Sequence, residues 1–181
     1  MKKRIISISL ALVLVLSCVF SFTSCMSSDG PGVNAGYKSF NNGDISFDYP
    51  EGWMKVPFIK TFTGMDMIMD LGGSGNNIIV YTHEKTDFFK MIDSVEKFDE
   101  LMRPEYEASG FVINGVTVES GITNGLEYVI FSFDAVQSDN SFIESQIITN
   151  AGNYTYMITI TEVVSNPAMI DTIISTLSPA K

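Results

Sequence analysis

The sequence predicts an α+β fold, an antiparallel β-sheet sandwiched by α-helices, on three observations. Alternating apolar runs are joined by short connectors rich in Gly and Asn, and strands joined so briefly pair antiparallel. The run "LEYVIFSFDAV" (126–136) puts Val129, Phe131, Phe133 and Ala135 on one side and Leu126, Tyr128 and Ile130 on the other. A strand apolar on both faces is covered on both faces. Two further stretches carry apolar residues at helical rather than alternating spacing.

The elements follow in order. In "YKSFNNGDISFDYPEGW" two alternating runs flank Asn42-Gly43, a hairpin signal because Gly accepts positive φ. Ile45, Phe47 and Tyr49 share one side of the second run and Ser46 and Asp48 the other. Pro50 ends the ladder for want of an N–H, and Trp53 folds back onto the core. "MDMIMDL" (65–71) and "NNIIVYTH" (76–83) form strands around the loop "GGSG". Strands 111–121 and 126–136 surround Asn124-Gly125, and strands 141–149 and 154–163 surround Asn150-Ala151-Gly152-Asn153.

The first helix is expected from Ser94 to Ser109, with Asp93 and Glu96 as a capping box, Val95, Phe98, Leu101 and Met102 as its apolar face, and Gly110 as its end. Pro104 removes a backbone hydrogen bond within it, which predicts a kink or two short helices. The second runs from Pro167 to about Leu177, capped by Asn166, with Ile170, Ile173, Ile174 and Leu177 on one face.

The N-terminus has a different character. Met1-Lys2-Lys3-Arg4 precedes the apolar run "IISISLALVLVLSCVFSF", the pattern of a secretory signal peptide. The run is close to transmembrane length, so an uncleaved anchor is the alternative. "FTSC" resembles the lipobox of bacterial lipoproteins, with Thr23 and Ser24 as the small residues before a lipidated Cys25 and Phe22 where Leu is usual. "VLSC", ending at Cys18, is an earlier candidate that would leave a short apolar core. The reading is therefore a lipoprotein signal peptide over 1–24, a lipidated Cys25 with a flexible Gly-rich tether to residue 36, and one folded domain over 37–181.

Cleavage before Cys25 removes three basic residues, taking Lys plus Arg from 11 to 8 against 21 Asp plus Glu and the formal charge from −10 to −13. So acidic a domain is unsuited to nucleic acid, whose phosphates require Lys and Arg. Anionic headgroups repel it too, so membrane attachment rests on acyl chains. With Cys18 in the signal and Cys25 lipidated, the domain has no cysteine for a disulfide or a thiolate–metal site.

The order of elements and "GDISFDYPEGW" resemble the PsbP-like family, which contains the extrinsic photosystem II protein and many bacterial lipoproteins of unassigned role. Ile45, Phe47, Tyr49, Pro50, Gly52 and Trp53 occupy the positions of the family's opening strand and corner, and "MIDTIISTLS" is similar to its closing helix. The resemblance covers about residues 37–178. It implies an antiparallel sheet between helices and an accessory or binding role, and it implies no reaction. The photosystem role does not transfer, since nothing here matches a pigment or manganese-cluster contact.

Candidate chemistry is sparse. His83, the single histidine, stands near a strand end beside Glu84 and Asp87. A hydrolase using it would need a nucleophile brought close by the fold, and no Gly-x-Ser-x-Gly elbow is present; a solvent-facing strand-end residue is the plainer expectation. Met65, Met67 and Met69 alternate with Asp66, Ile68 and Asp70. Thioethers are soft Cu(I) ligands, but residues i and i+2 on a strand sit roughly 6.6 Å apart, so packing under a helix is the simpler reading. Asp93, Glu96, Asp99 and Glu100, interspersed with Lys97 and Arg103, lack EF-hand spacing and read as a solvated helix face. Phe58, Phe62, Phe88, Phe89 and Tyr106 lie outside the clearest strands, and Phe88-Phe89 either packs beneath the first helix or flanks a ligand groove. No catalytic, metal or cofactor site is assigned. The expected function is a non-enzymatic lipoprotein at the outer face of a bacterial membrane, binding an envelope partner or small ligand. The alternatives are a His83-dependent hydrolase and a Met-rich metal-handling lipoprotein.

Overall fold

The computed structural model describes residues 36–180. Cys18, Cys25, the signal segment and nearly all of the tether lie outside the described residues, as do the side chains of Phe58, Phe62 and Phe88. The hairpin at Asn42-Gly43 joins β1 (Tyr37–Asn41) to β2 (Ile45–Pro50). Ile45, Phe47 and Tyr49 of β2 are buried while Ser46 and Asp48 are half-buried, as the alternation requires. Trp53 opens β3 (Trp53–Lys55) and is buried.

A short helix, α1 (Pro57–Thr63), was not expected from the sequence. Its signals are nonetheless local: Pro57 at the first helical position, and Gly64 closing it at φ +74° with its N–H on the Lys60 carbonyl. Strands β4 (Asp66–Asp70) and β5 (Asn77–Glu84) follow, then a 3-10 turn over Phe88–Met91.

The expected helix over 94–109 is two helices, α2 (Val95–Leu101) and α3 (Arg103–Ala108), with Pro104 in the first turn of the second. Its cap differs from expectation: the Ser94 hydroxyl, not Asp93, accepts the Lys97 N–H, so no capping box forms. Phe98 and Met102 are buried, whereas Val95 lies in solvent.

Four long strands then form a meander: β6 (Val112–Thr123), β7 (Leu126–Gln137), β8 (Asn140–Ala151) and β9 (Tyr154–Glu162). The β6–β7 turn takes φ +47° at Asn124 and +85° at Gly125, the geometry two-residue hairpins favour. Asn124 Nδ2 also donates to the Ser175 and Leu177 carbonyls, fastening the turn to the end of α4 (Pro167–Thr176). The last hairpin is tighter than expected, since Asn150 and Ala151 belong to β8. Asn166 stands at the cap position of α4 without a side-chain cap bond; its N–H donates to Glu162 instead.

The large sheet is antiparallel, in the order β3-β4-β5-β9-β8-β7-β6, and a small sheet has the order β1-β2-β10, with β10 at Ser178–Pro179. One face of the large sheet buries Ile78, Ile130, Ile147, Ile158 and Ile160 beneath β1, β2 and α4, which contribute Phe40, Phe47, Met169, Ile173 and Leu177. The other buries Val129, Phe131, Phe133, Ile148 and Met157 beneath the 3-10 turn, α2 and α3 through Phe89, Phe98 and Tyr106. Strand β7 is thus covered on both faces, as its sequence predicts.

One side chain holds the end of the sheet. Asn76 Oδ1 accepts the N–H groups of Val163 (2.8 Å) and Val164 (3.0 Å), and its Nδ2 donates to the Val164 carbonyl (2.7 Å). Asn76→Ala leaves three backbone groups without these partners and is expected to cost about 1–3 kcal/mol in thermal denaturation. Asn76→Asp keeps the acceptor but turns a second oxygen toward the Val164 carbonyl at a buried position, so it should not recover the loss.

Candidate functional site

Register alone builds a recess at one end of the sheet. Tyr81 on β5 pairs with Met157 on β9, which pairs with Ile148 on β8; His83 pairs with Thr155 one row further. Phe89, from the 3-10 turn, and Thr86 complete the wall. The recess is small, with a cavity volume of about 30 Å³, and is partly open to solvent. Phe89 is buried in the layer covering this face of the sheet and also lines the recess.

His83 is half-buried at the mouth, its ring 6.3 Å from that of Tyr81. Its Nδ1 lies 3.0 Å from the Glu84 carbonyl oxygen, so Nδ1 carries the proton and Nε2 of the neutral ring is an acceptor. The hydroxyl directly across, Thr155, donates toward Asn150 Oδ1 (2.6 Å) and accepts the Thr86 N–H (2.8 Å). It is committed to the loop, and the recess brings His83 no paired nucleophile among the described residues. Its chemistry is that of a binding surface, with apolar walls and a polar rim.

The other sequence candidates fall into structural roles. Met67 is buried with Val56 and Ile79, and Met65, Met69 and Ile59 of α1 pack around them. The thioethers therefore fill the interface under a helix. Asp66 is buried between Lys55 Nζ at 2.7 Å and Lys60 Nζ at 3.0 Å. Burial acts to raise its carboxyl, but hydrogen bonds and charge from both lysines prevail and hold it below the ordinary range. Asp93, Glu96, Asp99 and Glu100 are exposed; Asp99 pairs with Arg103 and Glu100 with Lys97.

A buried polar group that sequence reasoning passed over lies on the same strip of strands as the recess. Glu144, Gln146 and Tyr106 are each 0% exposed. Tyr106 Oη donates to Glu144 Oε1 (3.3 Å), and Gln146 Nε2 donates to Tyr106 Oη (2.8 Å) and to Glu144 Oε1. Burial pushes the Glu144 carboxyl up to about 8, against the opposing pull of the Gln146 and Tyr106 hydrogen bonds. Burial, then the neighbouring Glu144, raises the Tyr106 phenol as well. The available signal was positional: "FIESQI" alternates, but its strand lies next to one apolar on both faces, so Glu144 and Gln146 had no solvent side to occupy.

No family model and no curated protein matches the chain. Among solved structures it is similar to a crystal structure from Bacteroides thetaiotaomicron, at 14% identity and a TM-score of 0.49, over 80% of this chain and 48% of that one. It is also similar to the solution structure of cyanobacterial PsbP (CyanoP) from Synechocystis, at 16% identity and a TM-score of 0.61, over 86% of this chain and 99% of that one. With its helix-covered antiparallel sheet, the chain has an α+β fold of PsbP-like architecture.

Proposed function

We propose that this chain is a non-enzymatic, lipid-anchored protein of a bacterial envelope whose PsbP-like domain acts by binding a partner protein or small ligand at the His83 recess. The recess carries the binding half of this reading. Tyr81, Phe89, Ile148 and Met157 form an apolar wall, and at its rim His83 Nε2 offers an acceptor. The anchoring half rests on the sequence "FTSC", with Cys25 twelve positions ahead of the first strand. In this arrangement a short tether keeps the recess close to the membrane while the acidic surface discourages direct contact with anionic headgroups.

Two measurements test the two halves separately. Cys25→Ala is expected to abolish palmitate labelling in cells and leave a precursor-sized band; surviving labelling would move the lipid to Cys18 or elsewhere. A photocrosslinking residue at Asp87, exposed between Thr86 and Phe89 of the recess wall, is expected to capture one enriched envelope protein or one small molecule from intact cells. Capture indistinguishable from that of a crosslinker at exposed Glu119 on β6 would overturn the assignment of the recess.

A further inference from the structure

Four residues along the strands from the recess wall, register lays a second row across the same face. Asn77 on β5 pairs with Thr161 on β9, and Thr161 pairs with Glu144 on β8. Gln146 is next on that side of β8. None of the four is more than 2% exposed. Four of their oxygens, Asn77 Oδ1, Thr161 Oγ1, Glu144 Oε2 and Gln146 Oε1, have no hydrogen-bond partner. The amide orientations are fixed from the other side, since Asn77 Nδ2 donates to the Gly75 carbonyl and Gln146 Nε2 to Tyr106 and Glu144. A buried polar atom left unpaired forfeits its hydration without compensation, and four side by side call for an occupant.

The chemistry of that occupant is constrained three ways. The amide oxygens can only accept and the threonine hydroxyl can accept, so the occupant donates. The row holds one carboxylate, and among the described residues Glu144 has no Lys or Arg partner. A monovalent cation would balance it, whereas a divalent ion would leave net charge in an apolar interior. The row crosses three strands, about 10 Å at a spacing of 4.7–4.9 Å, too wide for the contact shell of a single small metal ion but suited to several N–H donors reaching oxygens at about 2.9 Å. We propose that Asn77, Thr161, Glu144 and Gln146 form a buried binding site for a small planar monovalent cation whose N–H donors are spread over several nitrogens, of the guanidinium type.

Binding has a charge balance that can be read. At neutral pH Glu144 enters with its proton, because burial pushes its carboxyl up to about 8. Beside the cation it becomes a carboxylate, and the proton leaves to solvent. The titratable group facing it is Tyr106 of α3; its other close neighbours are Gln146 on β8, Phe133 on β7 and Thr161 on β9.

The test is calorimetric titration of the full chain at pH 7 with guanidinium chloride and, as a single-nitrogen control, methylammonium chloride at millimolar concentration, in two buffers of different ionisation enthalpy. Saturable binding of guanidinium, tighter than that of methylammonium, is expected, with release of about one proton per cation; equal binding of the two would overturn the match to a planar cation. Glu144→Gln should weaken it about tenfold or more and abolish the proton release, while keeping the side-chain shape and the fold. Absence of saturable binding overturns the site, as does binding unchanged in Glu144→Gln. Equal, proton-linked binding of sodium or potassium chloride also overturns it, by making the row an alkali-ion site. So does a high-resolution crystal structure, soaked in guanidinium chloride, in which ordered waters alone bridge the four oxygens.

Discussion

Glu144→Gln is expected to make the domain more stable above neutral pH in cation-free buffer and to flatten much of the dependence of its stability on pH. The carboxyl is raised from an ordinary 4.5 to about 8, so the folded state holds this proton more tightly than the unfolded state. The resulting stability is fully present below about pH 4.5 and is lost progressively as pH rises through 8. At 1.36 kcal/mol per unit the whole window is worth on the order of 5 kcal/mol. A glutamine pays no ionisation cost, and its oxygen still accepts from Tyr106 and Gln146. Glu162, raised mainly by burial, leaves a residual slope of the same sign in the variant. Asp66 works in the opposite sense: its carboxyl is depressed, so its contribution is present at neutral pH and lost on acidification. Urea denaturation from pH 5 to 9 checks this, and parallel curves for the two proteins would refute the placement of an uncompensated carboxyl in the core.

Phe98→Ala is expected to cost about 3–5 kcal/mol, the range for removing a buried aromatic ring. Phe98 is 0% exposed, with its ring centroid 5.2 Å from Phe131, 5.4 Å from Phe133 and 6.2 Å from Tyr106. It is the contact by which α2 grips the sheet and by which α3 is held over Glu144. Against a total stability of ~5–15 kcal/mol, its loss should leave a domain that melts far below the parent. Phe98→Leu, which keeps most of the volume, should recover most of the difference. A loss under about 1 kcal/mol for the alanine variant would mean that the two helices contribute little to the core.

Much of the fold was legible because its punctuation is local. Asn42-Gly43 and Asn124-Gly125 mark their turns through backbone preference, and Pro104 divides a helix by removing one donor. The two-sided apolarity of 126–136 placed β7 between layers before any partner was known. What escaped has a common cause. Ser94 rather than Asp93 became the cap because the turn begins one residue later than the Asp93–Glu96 spacing suggests. Helix α1, only seven residues long, is too short to show a period. Glu144 and Gln146 sit on an alternating strand, and Tyr106 of α3, the group that meets them, is distant in sequence. His83 was placed at a strand end by sequence, but the apolar wall beside it depends on the pairing of β5 with β9.

That pairing also sets an order of events as the chain is made. Strand β5 sits between β4 and β9, so one whole edge of the β3–β4–β5 unit stays open until residues 154–161 exist to meet 77–84. The β6–β9 meander, by contrast, closes through three short hairpins and needs no upstream strand for its own ladders. The half synthesised first is therefore the half that finds its place last, docking onto a template that emerges later. Even β2 receives its last neighbour from Ser178 and Pro179. Non-local closure of this kind slows folding and keeps the early strands extended and unpaired while synthesis continues, a condition compatible with threading through a narrow pore.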